Sequence, residues 1–264
     1  MKNYKVITPL FPTYAQVKAM MKAVSGYSLK AVRNMITAIH EQTGTPQKPV
    51  DWSEPDLWIS ERLTGEDADI ARRIWDTDNH ILNPRHSYGC YLFLNYPQFE
   101  LMESTPDDTW QPTSHGQKFL QDDEKTLRSL DDQEGILQLL ELLAGREMSR
   151  RADLLPEWQA FLHQHSKFAS ASSVKSTLYS RLYNLIDRDM VNREGMSYRI
   201  TDTGRAWLGK ALPARKSDPR TELLEAVKRY NEQQKELLRE QISTMNPYKF
   251  EQLVGQLLEA MGYE

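Results

Sequence analysis

The sequence has 264 residues, of which 39% are hydrophobic and 27% charged; this suits one large or two ordinary globular domains and excludes a disordered chain. A single cysteine, Cys90, excludes an intrachain disulfide and a cysteine-rich zinc site. No apolar run approaches the roughly 20 residues of a membrane helix, and Met1–Val6 lacks a signal-peptide core, so a cytoplasmic protein without a membrane partner is expected.

Net charge is −4, yet the signs are separated. Residues 1–45 hold six bases against Glu41 alone, whereas residues 100–134 hold ten acids against three bases. Residues 167–210 hold eight bases against four acids. Such a chain can present a basic face to DNA despite an acidic total.

In chain order, Ala31, Val32, Met35, Ile36 and Ile39 predict an amphipathic helix. Thr43–Ser53 reads as a loop. Short helices follow over Pro55–Leu63 and Glu66–Trp75, and after a break at Asn79–Pro84 a helix runs over Arg85–Tyr96. A β-hairpin then leads from Leu101-Met102 to Trp110 and into another helix. Gly135–Leu143, Leu155–His165 and Ser172–Asp187 are the next helices, the last burying Val174, Leu178, Leu182 and Leu185. A second hairpin turns at Asn192-Arg193-Glu194-Gly195, and Tyr198 and Ile200 alternate on its returning strand.

The two hairpins belong to an internal repeat. Residues 110–120 and 198–208 both fit aromatic-x-x-Thr-x-x-Gly-x-x-aromatic-Leu, with Thr113/Gly116 and Thr201/Gly204 at its centre. The threonine can cap the following helix, and the glycine lets that helix approach the hairpin closely. Three helices and a hairpin, twice over, predict a mainly α chain with small β wings, built from tandem winged-helix (helix-turn-helix) modules. The modules fall at residues 1–125 and 126–212. Pro213–Pro219 ends the second. A linker helix is predicted within 213–245, with Leu223, Val227, Tyr230 and Leu237 as its stripe. That helix either packs on the preceding module or serves as a spacer or homodimer contact. Residues 246–264 open a further amphipathic helix with Phe250, Leu253, Val254, Leu257, Leu258 and Met261 inward.

In a winged helix the third helix meets DNA with its first turns. In the second module this nominates Ser172, Ser173, Lys175 and Ser176, with Arg181 adding charge and Arg193 standing in the wing. In the first module, Asn83-Pro84 reads as a cap with proline at the first helical position, displaying Arg85, His86, Ser87 and Tyr88. Tyr88, Trp110 and Tyr198 are aromatic candidates for reading a modified base, although core packing explains them equally well. No catalytic constellation and no metal spacing are present. His163 and His165 read as a surface pair. Asp107-Asp108, Asp122-Asp123 and Asp131-Asp132 read as solvated or capping charge.

The final stretch, Asn246-Pro-Tyr-Lys-Phe-Glu251 through Leu257-Leu258 to Gly262-Tyr263, resembles the opening helix of the Mrr-type restriction endonuclease domain. The upstream part resembles the winged-helix targeting regions that precede such domains, with Asp51-Trp52-Ser53-Glu54-Pro55 and Asn83-Pro84-Arg85-His86 as signature stretches. The resemblance implies a parent nuclease of the PD-(D/E)xK class, directed at double-stranded and methylated DNA, with Glu251 at the position of an acid that can join the metal site. That family's Asp and Glu/Gln-x-Lys residues follow its Gly-Tyr and fall beyond Glu264. The chain is therefore expected to be a fragment that binds without cutting, and Mg²⁺ is expected only with the missing part. Two rivals remain: a tandem winged-helix transcription regulator and a protein–protein adaptor.

Overall fold

The computed structural model describes residues 4–42, 44–45, 47–209 and 247–261, together with Val227, Tyr230, Asn231, Gln234, Lys235, Leu238, Ile242 and Met245. The chain divides into two units, Met1–Pro213 and Ala214–Glu264. It is mainly helical with small antiparallel sheets. No helix among the described residues is long and apolar enough to cross a membrane.

The first unit opens with α1 (Tyr14–Val24), α2 (Leu29–Glu41), α3 (Pro55–Arg62) and α4 (Gly65–Asp76). Thr13 and Gln16 close a reciprocal capping box on α1, and Ser28 caps α2 by accepting from Ala31 N at 3.0 Å. The predicted stripe of α2 is buried throughout. A 3-10 turn (Pro84–His86) and α5 (Tyr88–Leu94) replace the single helix predicted over Arg85–Tyr96. The turn is tighter because Ser87 sends both its N–H (3.1 Å) and its hydroxyl (2.7 Å) back to the Pro84 carbonyl.

Strands β1 (Met102–Ser104) and β2 (Trp110–Pro112) pair antiparallel, Met102 opposite Pro112, and run into α6 (Ser114–Leu120). Next come α7 (Glu124–Gln133), α8 (Ile136–Ala144), β3 (Ser149–Arg150), α9 (Arg151–His165) and α10 (Ala171–Asp187). Strands β4 (Val191–Glu194) and β5 (Ser197–Ile200) lead to α11 (Asp202–Gly209). The second sheet has the order β3-β5-β4, all antiparallel, with Ser149 opposite Tyr198 and Val191 opposite Ile200. Its hairpin turns two residues later than predicted, at Gly195-Met196. Glu194 still pairs with Ser197, and Gly195, at φ 61°, takes the left-handed corner.

The sequence repeat is a repeat of hydrogen bonds. Thr113 Oγ1 donates to the Glu100 carbonyl and accepts from Gly116 N; Thr201 Oγ1 donates to the Asp189 carbonyl and accepts from Gly204 N. Glu100 and Asp189 both sit at positive φ, 48° and 52°. A Cβ on Gly116 would lie 2.0 Å from the Leu101 carbonyl oxygen, and one on Gly204 would lie 2.3 Å from that of Met190. Both glycines are thus required by close approach of helix to hairpin.

The predicted modules, residues 1–125 and 126–212, both lie in the first unit and share one core. The N-terminal segment is threaded into the second half. Val6 bridges Ser166, Lys5 N donates to the His165 carbonyl at 2.8 Å, and Asn184 Nδ2 donates to the Pro12 carbonyl at 2.9 Å. Asp131, read as solvated, is fully buried, accepting from Tyr14 OH (2.8 Å), Arg188 (2.7 Å) and Trp207 Nε1 (2.8 Å). Burial and this carboxylate push the Tyr14 phenol well above its ordinary pKa. Asp123 does cap, accepting from Thr126 N at 2.9 Å.

In the second unit, the described residues from Val227 to Ile242 are helical, while Leu223 and Leu237 of the predicted stripe lie outside the described residues. Helix α12 (Pro247–Ala260) forms where predicted, but Phe250, Val254, Leu257, Leu258 and Met261 are exposed rather than inward. Gly262 and Tyr263 of the nuclease-like ending also lie outside the described residues.

Candidate nucleic-acid interface

Helix α10 has two faces set by its period. Val174, Leu178, Leu182 and Leu185 go inward, as do Thr177 and Asn184. Ser172, Lys175, Ser176, Tyr179 and Tyr183 stand exposed on the opposite side. Ser170 caps the helix, accepting from Ser173 N at 3.1 Å. Ser173 is half-buried and donates its hydroxyl to the Ser170 carbonyl at 2.9 Å, so the helix start uses it first. Lys175 makes no ion pair among the described residues.

Two exposed tyrosines and an arginine on this face were missed from sequence. The Tyr179 and Tyr183 rings stack at 6.4 Å, and the Arg151 guanidinium, from the first turn of α9, lies 5.2 Å from the Tyr179 ring. Their signal was available: positions 172, 175, 176, 179 and 183 share the helical spacing opposite the leucines.

Arg181 must be removed from the candidate contacts. It lies on the inward side, 0% exposed, and pairs with the Glu134 carboxylate. Its Nε donates to the Glu134 carbonyl at 2.7 Å, and its terminal nitrogens donate to the Thr177 and Thr8 carbonyls, both at 3.2 Å. Every face of the guanidinium is committed to the protein interior. Ser87 is also buried, at 1% exposure, and cannot reach a phosphate without unwinding α5. Trp110 and Tyr198, each 2% exposed, belong to the core and not to a base pocket.

The wing places Arg193 exposed, but its Nε donates to the Gly195 carbonyl at 2.9 Å, folding the side chain along the hairpin. Met196 stands 65% exposed at the turn.

At the other end, Asn83 caps the 3-10 turn as predicted, accepting from Arg85 N at 3.0 Å. Arg85 and His86 are exposed on that turn, and Tyr88, 39% exposed, packs near His40 and Tyr91. Arg85 does not project freely. Its guanidinium lies 4.7 Å from the ring of Trp52, which in turn meets Trp58 edge-on at 5.0 Å. Arg62 approaches the same ring at 5.9 Å.

No group of three or more His, Cys, Asp or Glu side chains could hold a metal among the described residues. His165 packs on Phe161 at the end of α9. Cys90 is buried, and burial pushes its thiol far above the ordinary range, which makes it a poor nucleophile. Comparison with known protein families, curated proteins and solved structures found no match to this chain.

Proposed function

We propose that this chain recognises double-stranded DNA, methylated or otherwise modified, through two fused winged-helix modules, as the targeting region of an Mrr-like restriction nuclease. The observation that carries the reading is the outer face of α10. Hydroxyl, lysine and tyrosine side chains gather there while every leucine turns inward. The succession α8, β3, α9, α10, β4, β5, with strand order β3-β5-β4, supports a helix-turn-helix with a wing. Strand β3 completes that pattern. In this reading Lys175 and Arg151 meet phosphates, Ser172 and Ser176 reach base edges, and Arg85 and His86 add a second contact. The nuclease reading rests on the resemblance of α12, where Glu251 is exposed.

Lys175→Ala and Arg85→Ala are each expected to weaken duplex binding about tenfold, the order of one hydrogen bond to a charged group at roughly 1.5 kcal/mol. Both side chains are exposed, so the melting temperature should stay within about 2 °C. Fluorescence anisotropy on unmodified, adenine-methylated and cytosine-modified duplexes checks this. Unchanged affinity for both variants across the panel would remove these contacts from the interface.

A further inference from the structure

Two stretches far apart in the chain meet in one groove. Trp52 and Ser53 come from the segment before α3, and Arg85 from the 3-10 turn before α5. Together with Gly44, Thr45, Pro49 and Val50 they line an open cavity of about 580 Å³. That volume lies within the roughly 300–1,000 Å³ of small-molecule sites. Its walls are built. Thr45 and Lys48 exchange backbone hydrogen bonds at 3.1 and 3.0 Å, and Thr45 Oγ1 accepts from Lys48 N. Asp51 accepts from Ser53 N at 2.9 Å, which lowers its carboxyl pKa and fixes the turn into α3. A Cβ on Gly44 would lie 2.5 Å from Val50 N, so the loop closes only with glycine there.

The chemistry of the lining is specific. Trp52 is half-buried, braced edge-on by Trp58, and carries the Arg85 guanidinium 4.7 Å from its ring. A guanidinium is a planar cation with several N–H donors, and this one lies over the indole ring. Unstacked bases stack on arginine planes and aromatic rings alike. Pro49 and Val50 supply apolar walls that a phosphate alone would not need. Thr45 and Ser53 supply hydroxyls for a heterocycle edge.

We propose that this groove receives a single nucleobase drawn out of a DNA duplex, with the Arg85–Trp52 pair as its stacking platform. The inference rests on the duplex-binding reading above and adds how a base would be inspected. Extruding a paired base costs unstacking and unpairing, and the cost is least where the base is already unpaired. Residues that bind only phosphate gain nothing from such a defect.

The test uses the full chain and two duplexes of one sequence, fully paired or carrying one bulged, unpaired base. Wild type is expected to bind the bulged duplex about tenfold more tightly, the order of one base–aromatic stack. Trp52→Ala should abolish this preference, bringing the affinities for the two duplexes to within about twofold of each other, and Trp52→Phe should keep most of it. If Trp52→Ala fails to fold, Arg85→Lys decides. It retains the charge for phosphate and loses the plane, so it too should bind both duplexes alike. Salt-sensitive binding of the paired duplex with no preference for the bulge in wild type would overturn the groove and leave the duplex reading standing. A preference surviving both Trp52→Ala and Arg85→Lys would reflect the flexibility of bulged DNA and would also overturn it. No binding to either duplex would overturn both readings.

Discussion

Glu134→Ala is expected to destabilise the folded chain by about 3–5 kcal/mol. Glu134 and Arg181 are both 0% exposed and pair directly. The carboxylate also accepts from Thr8 Oγ1 at 2.7 Å and Ile7 N at 3.2 Å. Burial raises the Glu134 pKa, and the Arg181 guanidinium and the Thr8 hydroxyl oppose that rise. Burial likewise lowers Arg181, against the attraction of Glu134. Removing the carboxylate leaves a guanidinium inside the protein with no counter-charge, and that orphan dominates the cost. The magnitude reflects the broken pair and not the worth of the intact one. A Glu134→Leu/Arg181→Met double variant should recover part of the loss, since it removes both buried charges, but not all of it, because the Ile7 N–H and the Thr8 and Glu134 carbonyls lose their partners. Urea unfolding of Glu134→Leu, Arg181→Met and the double closes a mutant cycle. A Glu134→Ala midpoint matching wild type would contradict this account of the core.

Deleting residues 1–13 is expected to abolish cooperative folding of the first unit. Val6 and Phe11 are buried, and each is worth about 1.5–3 kcal/mol of apolar burial. Phe11 packs edge-on to Phe93 at 5.5 Å and beneath the Arg181 guanidinium at 4.9 Å. The deletion also strips partners from Arg181, Glu134, Asn184 and the His165 carbonyl. Each buried polar group so orphaned costs about 1–3 kcal/mol. These losses rival the roughly 5–15 kcal/mol that a folded domain holds in reserve. Near-UV circular dichroism and limited proteolysis should show a chain without fixed packing. A deletion variant melting like wild type would mean that the two halves fold independently.

That interlock was invisible in the sequence, for a physical reason. Lys5, Thr8 and Pro12 lie more than a hundred residues from Asp132, Glu134 and Asn184, and no periodicity links them. Helices with one apolar stripe, such as α2, α8 and α10, were legible because spacing alone decides which side is buried. Helix α1 was not predicted, since Tyr14, Val17, Ala19, Met20, Met21, Ala23 and Val24 are buried around most of its circumference. Helix α7 was missed for the opposite reason. It buries Thr126, Arg128 and Asp131 beside its leucines, so its pattern reads as solvated. Strand β3, at two residues, is too short to leave a pattern. The two hairpin corners were legible to the side chain, because Thr113/Gly116 and Thr201/Gly204 impose the same local bonds.

The candidate interface was half legible. The exposed part of α10 follows from the register of its leucines. Arg181 was misplaced because its charge was weighed above its spacing. It stands three residues after Leu178 and seven after Val174, which puts it on the inward side. The Arg85–Trp52 contact joins residues 33 positions apart that only the folded chain brings together.

Duplex recognition is tested most directly by titrating affinity against salt. If Lys175, Arg151 and Arg85 replace counterions on phosphates, the logarithm of the association constant falls linearly with the logarithm of salt concentration. Lys175→Ala should then flatten that slope by about one. Salt-independent binding, or no binding at low salt to any duplex, methylated or not, would contradict it.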